Sequence, residues 1–343
     1  MADKPKKEAT AANGSRPTLR SVAEITGMAV TTVSRALNDA PDISNKTKTI
    51  VREAADKIGY RPERSSKHLR TGKSFNIAFI NDHADEHPDF ARRMILGITT
   101  CLVDTNYELF IKPQLRGAND VDLIRDLVRS QSVDGVIFTH TRPQDDRVKY
   151  LLEIDFPFVT HGRTELATQH PYYDLNSYEF TALAAKRLLS KGCQSITQVT
   201  PPTSLTSFAH HMHGLSAATR SAGLEPYIFN EPPVTDMDVD ALHQLAIKRI
   251  RIGDFPDGVI CGSELSALAV MDAFQGEGLE IGKDVHFVSR RTSRVLRFVR
   301  PRIDTINEDI FKAGETMAQL LLRRFENAPM KELQVLVEPE VDW

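Results

Sequence analysis

Residues 19–38, LRSVAEITGMAVTTVSRALN, restrict the N-terminal fold more than any other stretch. Leu19, Val22 and Ala23, then Val30, Val33, Ala36 and Leu37, recur at helical spacing on two short segments separated by a break at 26–29 that contains Gly27. Two helices joined by so short a glycine-containing turn form a helix-turn-helix, whose second helix is the one shaped to enter a DNA major groove. Burying Val33 and Leu37 leaves Thr31, Thr32, Ser34, Arg35 and Asn38 as polar side chains on the remaining face. On that face Arg35 suits a base edge, Ser34 and Asn38 suit phosphates, and Val30 with Thr31 sits where the choice of site is made.

Thr18 is placed to cap the first helix, and Ser44 to cap a third helix over 45–58. In that third helix Thr47, Ile50, Val51, Ala54 and Ile58 share the face expected to close over Val22, Val33 and Leu37. Residues 1–17, with Lys4, Lys6, Lys7 and Arg16 among Ala, Gly, Ser and Pro, have too little apolar surface to order themselves and are expected to form a disordered basic arm. The segment 63–71, ERSSKHLRT, is too short and polar to be a stable helix alone.

Val22-Ala23, Gly27, Thr32-Val33-Ser34-Arg35, Asn38, Ser44, Thr47 and Ile58-Gly59-Tyr60-Arg61-Pro62 together resemble the headpiece of the LacI/GalR family of bacterial transcription regulators. The resemblance implies a DNA-binding domain at 18–61 whose contacts include Thr18, Ser44 and Thr47 besides the second helix. It also implies a hinge helix within 62–73 that orders on operator DNA, pairs with the hinge of a second copy and wedges Leu69 into the central base step. Lys67, His68 and Arg70 would then serve phosphates and the groove floor. Ser66 stands where alanine is usual, which implies looser packing between two such hinges.

From about residue 74 the chain alternates between short apolar strands and helices. Strands are expected at 75–80, 107–111, 135–139, 158–160, 195–199, 227–229, 258–261 and 286–288. Helices are expected at 90–103, 121–130, 146–153, 177–190, 209–222, 238–249, 266–274 and 310–325. Such alternation reads as doubly wound parallel sheets. The resulting fold class is a small all-α helix-turn-helix headpiece plus an α/β sensor of two lobes of periplasmic-binding-protein type, with a small molecule held at the C-terminal ends of the strands. By resemblance, lobe 1 takes 74–175 and 307–334 and lobe 2 takes 176–306 and 335–343, and the sensor also carries the homodimer contact. Charge follows the same division: residues 1–74 hold fifteen Lys and Arg against eight Asp and Glu, although the whole chain of 343 residues carries a net charge of −3.

Enzyme and metal signatures fail on spacing. Gly276-Glu277-Gly278 with Gly282-Lys283 has the wrong interval for a phosphate-binding loop, and Asp284 stands where a Mg²⁺-binding hydroxyl belongs. His210, His211 and His213 do not converge on one helical face, so no metal and no cofactor are expected. Cys101, Cys193 and Cys261 lie far apart in apolar segments and read as reduced thiols. With no apolar leader and no long apolar run, the expectation is a cytoplasmic protein with no membrane partner.

Cleft residues carried over by resemblance are Asn81, Asp82, Phe90, Thr139, Thr141, Arg142, His161, Arg163, His211, Ser263, Glu264 and Arg291. His211 replaces an arginine usual in the family, Ser263-Glu264 replaces Asn-Asp, and Arg291 stands where an aspartate commonly faces the ligand. If Glu264 neutralises Arg291, the effector is a neutral sugar; if not, a sugar acid or sugar phosphate. The expected partners are thus operator DNA, a carbohydrate-like effector and a second copy of the chain, and the function a DNA-binding regulator of the repressor type. The alternative is a sugar-binding or sugar-processing protein of the same fold.

Overall fold

The computed structural model describes residues 17–60, 72–82, 88–114, 120–227 and 238–343. Its chain falls into two compact units, Met1–Ser74 and Phe75–Trp343. The expected basic arm, apart from Pro17, and the hinge residues Lys67, His68, Leu69 and Arg70 lie outside the described residues.

The first unit is built from α1 (Leu19–Thr26), α2 (Val30–Leu37) and α3 (Asn45–Lys57). Thr18 and Ser21 open α1 with a reciprocal capping box, each hydroxyl accepting from the other's backbone N–H. Gly27 ends it in the left-handed conformation, φ 66°, where a side chain would be strained. Ser44 caps α3 by accepting from the Thr47 N–H. The core consists of Val22, Ala23, Val33, Ala36, Val51, Ala54, Ala55 and Tyr60. Ile50, expected inside, is exposed, and Ala55 takes the inward position; Leu37 is half-buried beside a fully buried Ala36. Tyr60 reaches the core because Gly59, at φ 69°, reverses the chain and lets the Tyr60 N–H bond to the Ala55 carbonyl at 2.8 Å.

The second unit starts with β1 (Asn76–Asp82), α4 (Pro88–Leu102), β2 (Glu108–Gln114), α5 (Asp120–Arg129), β3 (Gly135–Phe138), α6 (Asp146–Glu153), β4 (Phe158–His161) and β5 (Tyr172–Leu175). It continues with α7 (Ser177–Ser190), β6 (Ile196–Val199), α8 (Thr206–Ser221), α9 (Val239–Arg251), β7 (Gly258–Cys261), α10 (Glu264–Gly276), β8 (His286–Arg291) and β9 (Asp304–Asn307). The chain then returns through α11 (Ile310–Phe325), β10 (Gln334–Val337) and β11 (Glu340–Asp342).

Two sheets result, with orders β10-β5-β4-β3-β1-β2 and β11-β9-β8-β7-β6. Every pairing is parallel except β11 with β9. The inner strands β3 and β7, and the edge strand β6, are buried on both faces, as parallel strands between helices must be. Four strands, β5, β9, β10 and β11, are not among those expected from the sequence; β10 is the apolar run Val335-Leu336-Val337 and stays in the first sheet, so the last crossing falls at 338–339 and not ahead of 335. Of the strand expected at 227–229, Tyr227 lies outside any strand, and the other two residues lie outside the described residues.

Helices α4 and α11 pack backbone to backbone over the first sheet. A Cβ on Gly97 would stand 2.0 Å from the Phe311 carbonyl oxygen, and one on Gly314 2.4 Å from that of Met94. Around this crossing Met94, Ile98, Ile310, Ala313, Met317 and Leu321 complete one core. Gly276, at the end of α10, has nothing within 4 Å of such a Cβ. Gly314→Ala is therefore expected to destabilise the protein by about 1–3 kcal/mol through overpacking, while Gly276→Ala stays neutral or mildly stabilising. Urea unfolding of the two variants checks this, and equal midpoints would refute the close crossing.

Candidate functional site

The first unit presents one polar face. Val33 and Ala36 point into the core, so Thr31, Arg35 and Asn38, one helical turn apart, line the outer side of α2 with Val30 at its start. Arg35 is paired with Asp42 at 2.5 Å, both side chains about half exposed. An exposed pair of this kind contributes little, so the guanidinium can be redirected to a base edge at small cost. Asn38 donates to the Ser34 carbonyl at 2.7 Å. The Thr18 and Ser44 hydroxyls stay exposed while they cap. Among the described residues no side chain caps α2, whose first N–H groups are left to water or phosphate.

The second unit contains a cleft between its sheets, about 930 Å³ including the solvent at its mouth. Of the twelve carried-over residues, Phe90, Thr139, Thr141, His161, Arg163, His211 and Ser263 line it. Asn81 and Asp82 close β1, but their side chains lie outside the described residues. The other three fall elsewhere. Arg142 turns outward to Asp120 at 2.6 Å. It does so because its backbone N–H is held by Asp145, whose buried carboxylate also grips Arg147 at 2.7 Å and pins the 139–145 loop to α6. Glu264 accepts from the Ser293 N–H at 3.1 Å and the Thr292 hydroxyl at 3.3 Å, tying the turn after β8 to α10.

Arg291 does not face the cleft. It donates to Thr305 at 3.3 Å and to Asp342 at 3.1 Å, and Glu264 is not its partner. Successive side chains on a strand point to opposite faces, so the residue beside it, Arg290, lines the cleft instead. Arg290 meets Glu308 at 3.1 Å, and Glu308 also accepts from His161 at 3.1 Å. Burial acts to raise the Glu308 pKa, but Arg290 and His161 outweigh it and hold the carboxyl below its ordinary range. Arg163 pairs with Asp174 at 3.2 Å. Burial pushes Asp174 up to about 6, with Glu308 adding to the rise and Arg163 and His161 opposing it.

A buried relay sets the protonation of His211. Gln198 donates its amide N–H to the Val199 carbonyl at 3.1 Å, which makes its oxygen the acceptor for the Thr181 hydroxyl at 3.2 Å. With that proton spent, Thr181 must accept from His211 Nδ1 at 2.7 Å. Nε2 is left deprotonated, an acceptor, on a residue that lines the cleft. Burial, with the charge of Arg290 and the neighbouring His210 adding to it, drives the His211 pKa down to about 3, so the ring stays neutral. Conversely, Arg290 Nε is a buried donor without a partner among the described residues. Across the mouth, the Thr206 N–H and hydroxyl both donate to the Thr141 carbonyl, at 2.9 and 3.2 Å, and His210 meets Glu165 at 3.0 Å.

A strand-turn signal at 172–175 would have pointed to Asp174, but Arg290, Glu308 and the Gln198–Thr181 relay carry none in sequence. Among the described residues no group of His, Cys, Asp and Glu is disposed to hold a metal ion. Nor is any helix there long and apolar enough to cross a membrane.

A helix-turn-helix unit joined in one chain to a two-lobed α/β unit with a polar interlobe cleft defines a ligand-responsive, DNA-binding transcriptional regulator. Residues 18–63 match the family described as bacterial regulatory proteins, lacI family, and residues 185–343 match the periplasmic binding protein-like domain. The chain belongs to the lacI family of transcriptional regulators. It is 28% identical to the HTH-type transcriptional regulator AglR of Rhizobium meliloti (strain 1021), over 89% of this chain and 86% of the relative. Identity to the regulator CelR of Thermobifida fusca is 25%, over 94% of this chain and 96% of that one. The lac repressor dimer bound to operator and the anti-inducer ONPF superposes with a TM-score of 0.80 at 20% identity, covering 96% of this chain and 98% of that chain. A CelR–cellobiose complex does so with a TM-score of 0.66 at 24% identity, covering 96% of this chain and 99% of that one.

His211 binds a proton in the unfolded chain near its ordinary 6.5 but not in the fold until about 3, so it removes stability as pH falls through that window. Asp174 does the reverse, holding a proton in the fold up to about 6 against an ordinary 3.8 and losing stability as pH rises across that interval. His211→Gln is expected to flatten the fall in unfolding midpoint between pH 6.5 and 5, and Asp174→Asn to steepen it. Parallel midpoint curves for wild type and both variants would rule out this assignment.

Proposed function

We propose that the protein is a dimeric, cytoplasmic repressor that binds a near-palindromic operator through its two α2 helices, performs no catalytic step and is controlled by a neutral sugar or glycoside in the cleft. The observation that carries the effector class is the balance of charge in the cleft. Each lining arginine already has a carboxylate within 3.2 Å, Arg163 with Asp174 and Arg290 with Glu308. An anion would have to displace a buried carboxylate, whereas a hydroxyl needs only a donor and an acceptor. The partly exposed Arg290 guanidinium supplies donors and His211, with its Nδ1 bound to Thr181, an acceptor at Nε2. Phe90, edge-on to His161 at 5.6 Å between ring centres, supplies an apolar surface for a pyranose face. The cellobiose complex of the relative CelR supports the same ligand class.

A thermal-shift panel of neutral mono- and disaccharides, sugar acids and sugar phosphates tests the reading. A neutral sugar is expected to stabilise wild type and Arg291→Ala alike, with Arg290→Gln weakening it about tenfold or more through the lost donor. Stabilisation by a sugar acid alone, abolished in Arg290→Gln, would overturn it. On the DNA side, Arg35→Ala is expected to cost about 1–3 kcal/mol of operator affinity and relax selection at one base pair. A gel-shift titration against operator variants measures both, and unchanged affinity and selectivity would remove Arg35 from the reading face.

A further inference from the structure

A second pocket of about 470 Å³, with solvent, adjoins the cleft, and the Arg290–Glu308 pair stands between them: Arg290 lines the cleft and Glu308 lines the pocket. Arg93 enters it from α4 over the first sheet, and Arg294 and Arg297 enter it from the turn after β8 on the second. The side chains of Arg294 and Arg297 have no partner among the described residues. Arg93 shares the single carboxylate of Asp89 with Arg92, both at 2.7 Å, so that cluster also keeps a surplus positive charge. The two carboxylates lining the pocket are engaged, Glu308 by Arg290 and His161 and Asp309 by the Lys312 N–H it caps.

The arrangement is not that of the neutralised cleft. Besides Arg291, which Asp342 holds, three guanidinium forks from two lobes converge on a polar space whose counter-charge is short, and planar forks bind the oxygens of a phosphate better than they bind water. We infer that this pocket is a second effector site for a small dianion of the phosphate-monoester type. Bound there, the dianion ties lobe 1, through Arg93, to lobe 2, through Arg294 and Arg297. The site goes beyond the carbohydrate reading and does not depend on it. Since it shares the Arg290–Glu308 wall with the cleft, a dianion and a cleft ligand that favour the same lobe arrangement raise each other's affinity by the same factor.

The experiment titrates inorganic phosphate into the full chain without sugar, at an ionic strength held constant with sodium chloride, and follows the unfolding midpoint. At ten times its dissociation constant phosphate is expected to raise the midpoint by about 2 °C. The shift is expected to vanish in Arg294→Gln/Arg297→Gln, which disturbs no ion pair and so keeps its phosphate-free midpoint, and to persist in His211→Gln, which alters only the cleft. No shift beyond that of chloride overturns the site, as does a shift that survives in the double variant. A full shift in Arg93→Gln overturns the bridging of the lobes. Failure of every sugar to bind would leave these outcomes unaffected, so the two readings fail separately.

Discussion

Glu308 is the group on which the second unit turns. It lies on the strand crossing between the sheets, 3% exposed, and a carboxylate so buried persists as a charge only if it is paired and hydrogen-bonded. His161, at the end of β4 in the first lobe, and Arg290, on β8 in the second, supply those partners at 3.1 Å each. The three residues tie the lobes at the crossing and place two of the cleft's polar side chains by the same contacts. Removing Arg290 alone would leave a buried carboxylate one partner short, which is why the interaction constrains the lobe arrangement more than its net contribution to stability suggests.

The effector cleft follows from that constraint. Its arginines are neutralised in place, and what they offer a ligand is directional hydrogen bonding and not net charge. The relay from Gln198 through Thr181 acts in the same sense on His211, fixing one tautomer and presenting a lone pair. Side chains whose protonation is set from behind lose little freedom when a ligand arrives, so binding energy goes into discrimination between patterns of donors and acceptors on the ligand. The mouth contacts of Thr206 with Thr141 and of His210 with Glu165 join the lobes without touching the Glu308 group. A ligand can therefore shift the lobe equilibrium only through contacts that differ between the two arrangements.

Much of the fold was legible in the sequence, and the reasons differ by element. The headpiece could be read from helical spacing, caps and Gly27 because a three-helix module of this size is governed by local rules. Ile50 and Ala55 were exchanged in that reading because both lie near the edge of the buried face of α3, where a rotation of one residue decides which is inside. Central strands such as β3 and β7 announce themselves as continuous apolar runs. Strands β5 and β11 do not, because charged residues interrupt them, Asp174 in the buried β5 and Glu340 and Asp342 in the exposed β11, whereas the Val335-Leu336-Val337 run of β10 was legible and went unused. In the cleft, Thr139, His161 and Ser263, at or just after strand ends, and His211, on α8, are among the carried-over residues that line the pocket.

The decisive miss, Arg291 for Arg290, shows what a linear reading lacks. Two adjacent arginines on one strand are equivalent in composition and in local propensity, yet the pleat sends them to opposite faces, and each face already holds a different carboxylate. Asp342 waits on β11, the antiparallel strand that the sequence did not announce, and Glu308 at the crossing after β9. Register between strands β8 and β9, which sets Arg290 beside Ile306 and Arg291 beside Asn307, therefore determines the charge seen by a ligand. A one-residue slip of β8 would bring Arg291 toward Glu308 and Arg290 toward Asp342, restoring the same pairs with exchanged names. What forbids the slip is Val288, fully buried among Phe180, Leu188 and Ile260, which a slip would turn to the other face. Hydrophobic packing thus selects which arginine the effector meets.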